Sequence, residues 1–419
     1  MGETQGEQIK TESMSAVMTS SEEASPSYLH RDTLRKPVRH HADNLHRQLQ
    51  VGFQEHGVSS FGDFQKKATL GMVSSDELRH IASLAGKLDE IITTGEVPFD
   101  EEEFLEEITQ VWEKWGTMRT ENQAYREATE YMKMDMSVDF LADHVSLTPM
   151  TVLVQDRDFS QRMLVHLLEA SNASVDFADD AGLFHAVVLN TACEDMPKEV
   201  LDTLTQEIDC NVLGPLSYLG LNFAGGTLIL KGEAGDDVGW NMSDGRIIAE
   251  EVGKHAGECM RGGEIRIAAN ATDRLGEEMR GGKIFAFHAR DRVGLNMYRG
   301  DIDVHEAGDN LGEGMKGGEI IVGSGGDYAG KRMENGTIRI NFAGQYAGYH
   351  MKDGKLILNE AGDLLGDSME AGTIEVKIAG YGVGDKSTGG EIWIGQDYNS
   401  LGTMRTGGDI YFKGEKIAT

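Results

Sequence analysis

The sequence predicts a mainly β protein: a parallel β-helix of about eleven 18-residue coils over residues 213–419, preceded by a helical region and a small α/β region. Three observations carry that reading. First, Gly220, Gly239, Gly257, Gly276, Gly294, Gly312, Gly330, Gly348, Gly366, Gly384 and Gly402 recur at intervals of 18 or 19 residues. A second glycine follows each by six: Gly226, Gly245, Gly263, Gly282, Gly300, Gly318, Gly336, Gly354, Gly372, Gly390 and Gly408. Second, methionine stands three residues after the first glycine in eight consecutive units: Met242, Met260, Met279, Met297, Met315, Met333, Met351 and Met369. Third, each unit then alternates polar and apolar residues, as in Glu319-Ile320-Ile321-Val322, the signature of a short half-buried strand. The unit is too short for a propeller blade and lacks a helix, so it fits one coil of a solenoid.

The elements follow in order. Residues 1–60 are rich in Ser, Glu, Gln and His with little periodicity, and read as a flexible tail. The helical region, 61–150, holds three helices. Ser74-Ser75-Asp76-Glu77 is a capping box before Leu78, Ile81, Leu84, Leu88 and Ile91. Asp100 and Glu103 open a second helix, with Leu105, Ile108, Trp112 and Trp115 on one face and Gly116 at its end. Thr120 and Gln123 open a third, running to about Val145. Residues 151–212 form the small α/β segment: strand Thr151–Val154, helix Ser160–Ser171, strand Ser174–Phe177 and strand Ala186–Leu189. All six prolines precede residue 216, and 42 of the 53 glycines follow residue 219, which places the solenoid boundary near Leu213–Tyr218. Proline cannot donate to a strand ladder, and glycine supplies positive φ at corners. The apolar residue before each anchor, as at Val238, Leu275, Val293 and Leu311, and the methionines are the candidate inward ladder.

The units Ala307-Gly308-Asp309-Asn310-Leu311-Gly312-Glu313-Gly314-Met315-Lys316-Gly317-Gly318-Glu319-Ile320-Ile321-Val322 and Ala361-Gly362-Asp363-Leu364-Leu365-Gly366-Asp367-Ser368-Met369 resemble the GXGXG-repeat family. That family forms the C-terminal domain of the glutamate synthase large subunit and most of the β-helical subunit of formylmethanofuran dehydrogenase. The resemblance implies a right-handed β-helix acting as a non-catalytic docking subunit or module of such an oxidoreductase complex. It also implies that flavin, iron–sulfur or other metal cofactors sit elsewhere in the complex. Residues 151–212 resemble the first half of a response-regulator receiver domain, with Asp156 and Asp158 near its acidic pocket and Asn190 at the phosphoacceptor position. Asparagine cannot form an acyl phosphate, so this would be a degenerate module of a free-standing regulatory or interaction scaffold, the alternative function.

The composition narrows the partners. With 39 Lys+Arg against 70 Asp+Glu the net charge is −31, which repels phosphate backbones and anionic lipid, so neither nucleic acid nor membrane insertion is expected. Cys193, Cys210 and Cys259 form no CxxC pair, and no apolar run has the length of a membrane span. A cytoplasmic protein binding other protein subunits, or a second copy through its C-terminal coil, is the expectation. In the last two coils Ser387 and Arg405 replace the ladder methionine.

Each chemically suggestive pattern also has a plain reading. The methionine stripe could be imagined as a Cu(I) path, but a thin solenoid needs a flexible core filler there, and Phe223 at the equivalent position favours that reading. Asp236, Asp273, Asp291, Asp309, Asp327 and Asp363, three residues before the anchors, could hold divalent ions or close Asx turns on a solvated corner. His255, His288, His305 and His350 occupy different coil positions, and Cys259 near His255 is a weak thiolate or metal candidate. No residue is assigned as catalytic, cofactor-binding or metal-binding.

Overall fold

The computed structural model describes residues 36–69, 72–94, 101–124, 156–170, 177–193 and 196–418. The chain divides into two units, Met1–Ile108 with His144–Val152, and Thr109–Asp143 with Leu153–Thr419. The expected strand Thr151–Val154 and most of the helix from Thr120 to Val145 lie outside the described residues.

The first unit is helical. Helix α1 (Lys36–Glu55) lies wholly in the stretch expected to be a tail, and that expectation is corrected: Leu49 and Phe53, one turn apart, are both buried. They pack with Phe61 and Phe64 of α2 (Phe61–Thr69) and Ile81, Leu84 and Leu88 of α3 (Ser75–Thr94). The capping box at the start of α3 forms as expected: the Glu77 N–H donates to Ser74 Oγ at 3.1 Å, and the Ser74 N–H to Glu77 Oε2 at 2.8 Å. Helix α4 (Glu101–Glu121) does not stop at Gly116 but continues to Glu121. Its last turns, from Thr109, belong to the second unit.

In the second unit, α5 (Phe159–Ala170) matches the expected helix, but no receiver-like sheet accompanies it among the described residues. Ala186–Leu189, read as a strand, lies inside helix α6 (Phe177–Cys193), and Phe177 begins that helix. The reason is burial on every side. Residues 181–189 are all buried, with Trp112 and Trp115 of α4 against Phe184, so no amphipathic period survives. The short helices α7 (Lys198–Leu201) and α8 (Cys210–Leu213) flank β1 (Thr205–Asp209). The parallel ladder therefore begins at Thr205, before the expected boundary at 213.

The solenoid follows with one strand per coil: β2 (Ala224–Glu233), β3 (Asp244–Glu251), β4 (Glu264–Ala271), β5 (Arg280–Ala289), β6 (Arg299–Ala307) and β7 (Lys316–Ser324). Then come β8 (Asn335–Ala343), β9 (Lys355–Ala361), β10 (Thr373–Ala379), β11 (Thr388–Tyr398), β12 (Gly407–Phe412) and β13 (Glu415–Ala418). All thirteen form one sheet in chain order, β1 to β12 parallel and β13 antiparallel to β12. Most coils have 18 residues. Where a coil has 19, the extra residue sits in a bulge after the inward pair, as between Leu230 and Glu233 or between Ile267 and Asn270.

Two interlocks hold each coil to the next. All eight ladder methionines have no exposed surface. Each Met Cε lies 2.5–2.9 Å from the point a Cβ would occupy on the second glycine one coil on, for example Met315 against Gly336 and Met297 against Gly318. The anchor glycines from Gly220 to Gly384 are kept bare in the same way by Cδ1 or Cδ2 of an inward strand residue, Ile338 over Gly312 and Ile320 over Gly294. Gly336 also has φ +97°, a conformation closed to most side chains. The methionine stripe is thus packed core, fixed by its glycine partners.

The first strand of the ladder is covered from within the chain, and the last parallel strand is extended by an antiparallel one. The outward edge of β1 meets α5 and the turn before it: the Glu207 N–H donates to Arg157 O at 3.0 Å and the Asp209 N–H to Gln161 Oε1 at 2.8 Å. The outward edge of β12, expected to be open, is taken by β13 through a hairpin whose turn residues Lys413 and Gly414 both have positive φ.

Met315→Leu is expected to cost less than about 1.5 kcal/mol in denaturant unfolding, whereas Met315→Asp, which seats a carboxylate in the core, should cost several kcal/mol. Gly336→Ala should cost about 2 kcal/mol or more, since it combines strain at positive φ with a clash against Met315 and the Gly318 carbonyl.

Candidate functional site

The turn leading into each strand is built from residues in left-handed conformation. They stand two before the anchor (Asp237, His255, Arg274, Arg292), at the anchor, and two after it (Asn241, Cys259, Glu278, Asn296). Their N–H groups reach neighbouring coils, as from Asp237 to Lys254 O at 2.8 Å and from Cys259 to Glu277 O at 2.9 Å. Side chains at equivalent positions consequently stack in columns along this flank.

The aspartate stripe is one such column. The Asp309 N–H donates to Asp291 Oδ1 at 2.9 Å, the Asp327 N–H to Asp309 Oδ1 at 2.8 Å, and the Gln345 N–H to Asp327 Oδ1 at 2.7 Å. Asp236, Asp273 and Asp363 do the same for Lys254, Asp291 and Tyr381. Each carboxylate ties one coil to the next; it does not close an Asx turn within its own coil, which corrects that reading.

A second grouping joins residues that the sequence pattern treats as unrelated. Asp237 in the turn before β3, and His255 and Glu258 in the turn before β4, bring one ligand atom each within 4.8 Å of one another. His255 Nδ1 lies 2.6 Å from Glu258 Oε2 and 3.4 Å from Glu277 Oε2 in the turn before β5. Arg274 Nη1 stands 3.4 Å from Glu277 Oε2. The hydrogen bond to Glu258 outweighs partial burial and holds His255 above its ordinary pKa. Burial, reinforced by the Glu258 charge, pushes the Glu277 carboxyl up. Burial also raises the Cys259 thiol, with the nearby Glu258 charge adding to it, so it is no ready thiolate. Cys193 and Cys210 are each pushed up to about 11 by burial. His288 instead pairs with Glu306 at 3.0 Å, and the His305 ring stacks on Phe287. Asp237 and His255 lie 18 residues apart, and Glu258 and Glu277 lie 19 apart. Reading columns for mixed residue types would have found the group.

A third grouping is internal. Ser160 Oγ lies 2.7 Å from His185 Nε2, a separation seen in nucleophile–base pairs, but neither residue has exposed surface. The Ser160 hydroxyl donates to Gln206 Oε1 at 2.8 Å, and the Ser160 N–H to the same oxygen at 3.1 Å. Gln206 Nε2 donates to Asp156 O at 2.9 Å. With the serine proton committed to Gln206, His185 donates from Nε2 and its Nδ1 is a bare, buried acceptor. The network locks α5 and α6 to β1. Asp156 pairs with Arg162 at 2.8 Å, and Asn190 Nδ2 donates to Leu221 O at 2.6 Å from within α6, so no receiver-type acidic pocket forms there.

No protein-family model matches the chain, and no curated protein matches it.

Burial lowers the His185 pKa from 6.5 to about 4. Above pH 6.5 the imidazole is neutral in folded and unfolded chains alike. Below it the unfolded chain takes up a proton that the folded chain refuses, so stability falls from pH 6.5 to about 4 and then levels. The loss approaches about 3 kcal/mol over that window. Urea titrations between about pH 7 and 5 should show this decline in the wild type and a clearly shallower one in His185→Gln.

Proposed function

We propose that the chain is a non-catalytic docking subunit or module of a larger oxidoreductase assembly of the glutamate synthase or formylmethanofuran dehydrogenase type. The observation that carries the reading is the outward face of the sheet. The inward residues are committed to the coil interlocks, while one outward column runs Ile229, Ile248, Arg266, Phe285, Asp303, Ile321, Arg339, Ile357, Glu375, Trp393 and Tyr411 in register. Ile248, Ile321 and Trp393 in this column are exposed, as are Phe287, Phe342 and Ile378 beside it. Large apolar side chains set among paired charges, such as Arg339 with Glu319 at 2.6 Å and Lys283 with Asp301 at 3.3 Å, have the composition of a protein-binding face.

The GXGXG resemblance supplies the class of partner. Among the described residues no helix is long and apolar enough to cross a membrane, consistent with a chain that does not insert through helices. The flavin, iron–sulfur or molybdenum chemistry would belong to the partners in a cytoplasmic complex, with the C-terminal coil and its exposed Met404 and Ile417 as a second contact. A free-standing interaction protein would use the same faces. Its regulatory form loses support, because Asn190 lies in a helix.

Native pull-down with tagged full-length chain should recover cofactor-bearing oxidoreductase subunits. The pair of changes Ile321→Glu and Trp393→Glu should cut recovery about tenfold or more, as a charge in a desolvated interface does. Recovery of sensor kinases alone would point to the regulatory scaffold. One flavin per purified chain would overturn the non-catalytic assignment.

A further inference from the structure

The His255 grouping gathers acidic side chains from successive coils around one imidazole ring. Three coils contribute to it: Asp237 from the turn before β3, His255 and Glu258 from the turn before β4, and Glu277 from the turn before β5. Carboxylates from two coils converge on the imidazole Nδ1, at 2.6 and 3.4 Å, and an oxygen of a third, Asp237, stands within 4.8 Å of a ring nitrogen. Around a neutral His255 the three carboxylates and Arg274 sum to −2, the charge a divalent cation cancels.

Glu277 is 13 % exposed, and both Arg274 and His255 stand 3.4 Å from its carboxylate. One ring nitrogen with several carboxylate oxygens is a borderline donor set, better matched to zinc or cobalt than to the all-oxygen shells of calcium or magnesium. Bonds of about 2.0–2.2 Å set donor atoms roughly 3–4 Å apart, so side-chain adjustment of about 1 Å closes the Asp237, His255 and Glu258 set, with Glu277 beside it.

We infer that Asp237, His255, Glu258 and Glu277 form a binding site for one divalent transition-metal ion of the zinc class, which clamps three successive coils together. The site makes no use of the outward sheet face and stands independently of the docking function. Its closest competitor is diffuse binding of cations to a chain of net charge −31.

The test uses the full chain, Zn²⁺ with excess Mg²⁺ present to fill diffuse sites, and Co²⁺ as a spectroscopic probe. Expected are one zinc per chain by calorimetry and elemental analysis, a zinc-dependent rise in melting temperature, and cobalt d–d absorption. His255→Ala and, separately, Glu258→Gln should each weaken zinc binding about tenfold or more and abolish the melting shift. Circular dichroism checks that each variant folds. Equal zinc affinity in the wild type and both folded variants, or displacement of zinc by Mg²⁺, would overturn the site and assign the binding to general surface charge.

Discussion

A methionine methyl group seated against a bare glycine one coil further on is the contact from which the rest of the solenoid follows. At each of the eight partner glycines from Gly263 to Gly390 the methyl lies within 2.9 Å of where a Cβ would project, so neither partner can change alone without cost. The pairing brings the backbone of one coil close to its neighbour and leaves the Met carbonyl free to accept an N–H from the next coil, as Met297 does from Lys316 at 2.7 Å. Burial, backbone bonding and repeat length are thereby coupled. A long unbranched side chain suits this role, because it fills the space without steric demand on its own turn.

The tight turn has an energetic consequence of its own. Tyr328, Arg332, Tyr346 and His350 are held at φ between 52° and 63°, where a non-glycine residue is strained by about 1 kcal/mol or more. The strain is offset by bonds that this conformation alone aims correctly, from the Tyr328 N–H to Gln345 O at 2.8 Å and from the Arg332 N–H to Tyr349 O at 2.9 Å. The same geometry fans the side chains outward in columns. Tyr328 stacks on Tyr346 at 4.9 Å, and elsewhere the aspartates reach the next coil's backbone. The polar chemistry of this half is concentrated where the backbone is most constrained.

The solenoid was legible because its contacts repeat: a residue that touches its equivalent one coil away must recur at the coil length, so Met315 and Gly318 announce themselves by period. The function of the aspartate column was less legible, since composition reveals a stripe but not whether the carboxylate bonds its own turn or the next. The group around His255 escaped because its members differ in type from coil to coil. Ahead of the solenoid the signal failed for the opposite reason. Residues 181–189 of helix α6 are all buried, so Ala186-Val187-Val188-Leu189 shows an unbroken apolar run and β-branched residues, which is the pattern of a buried strand. Gly182 confirms how closely that helix is approached, for a Cβ there would meet Ser217 O at 1.9 Å.

The bulges that absorb a nineteenth residue after Leu230 and after Ile267 bear on how such a chain can change length. Every contact that defines a coil reaches its immediate neighbours, so duplication or loss of a whole coil restores the same neighbours on either side. A single inserted residue is admitted at the bulge, beyond the inward pair, where it leaves the methionine and glycine phases intact. Outward side chains on chosen coils are then separated by whole multiples of one strand spacing, about 4.8 Å. The chain is graduated like a ruler, and gene duplication would lengthen it one mark at a time.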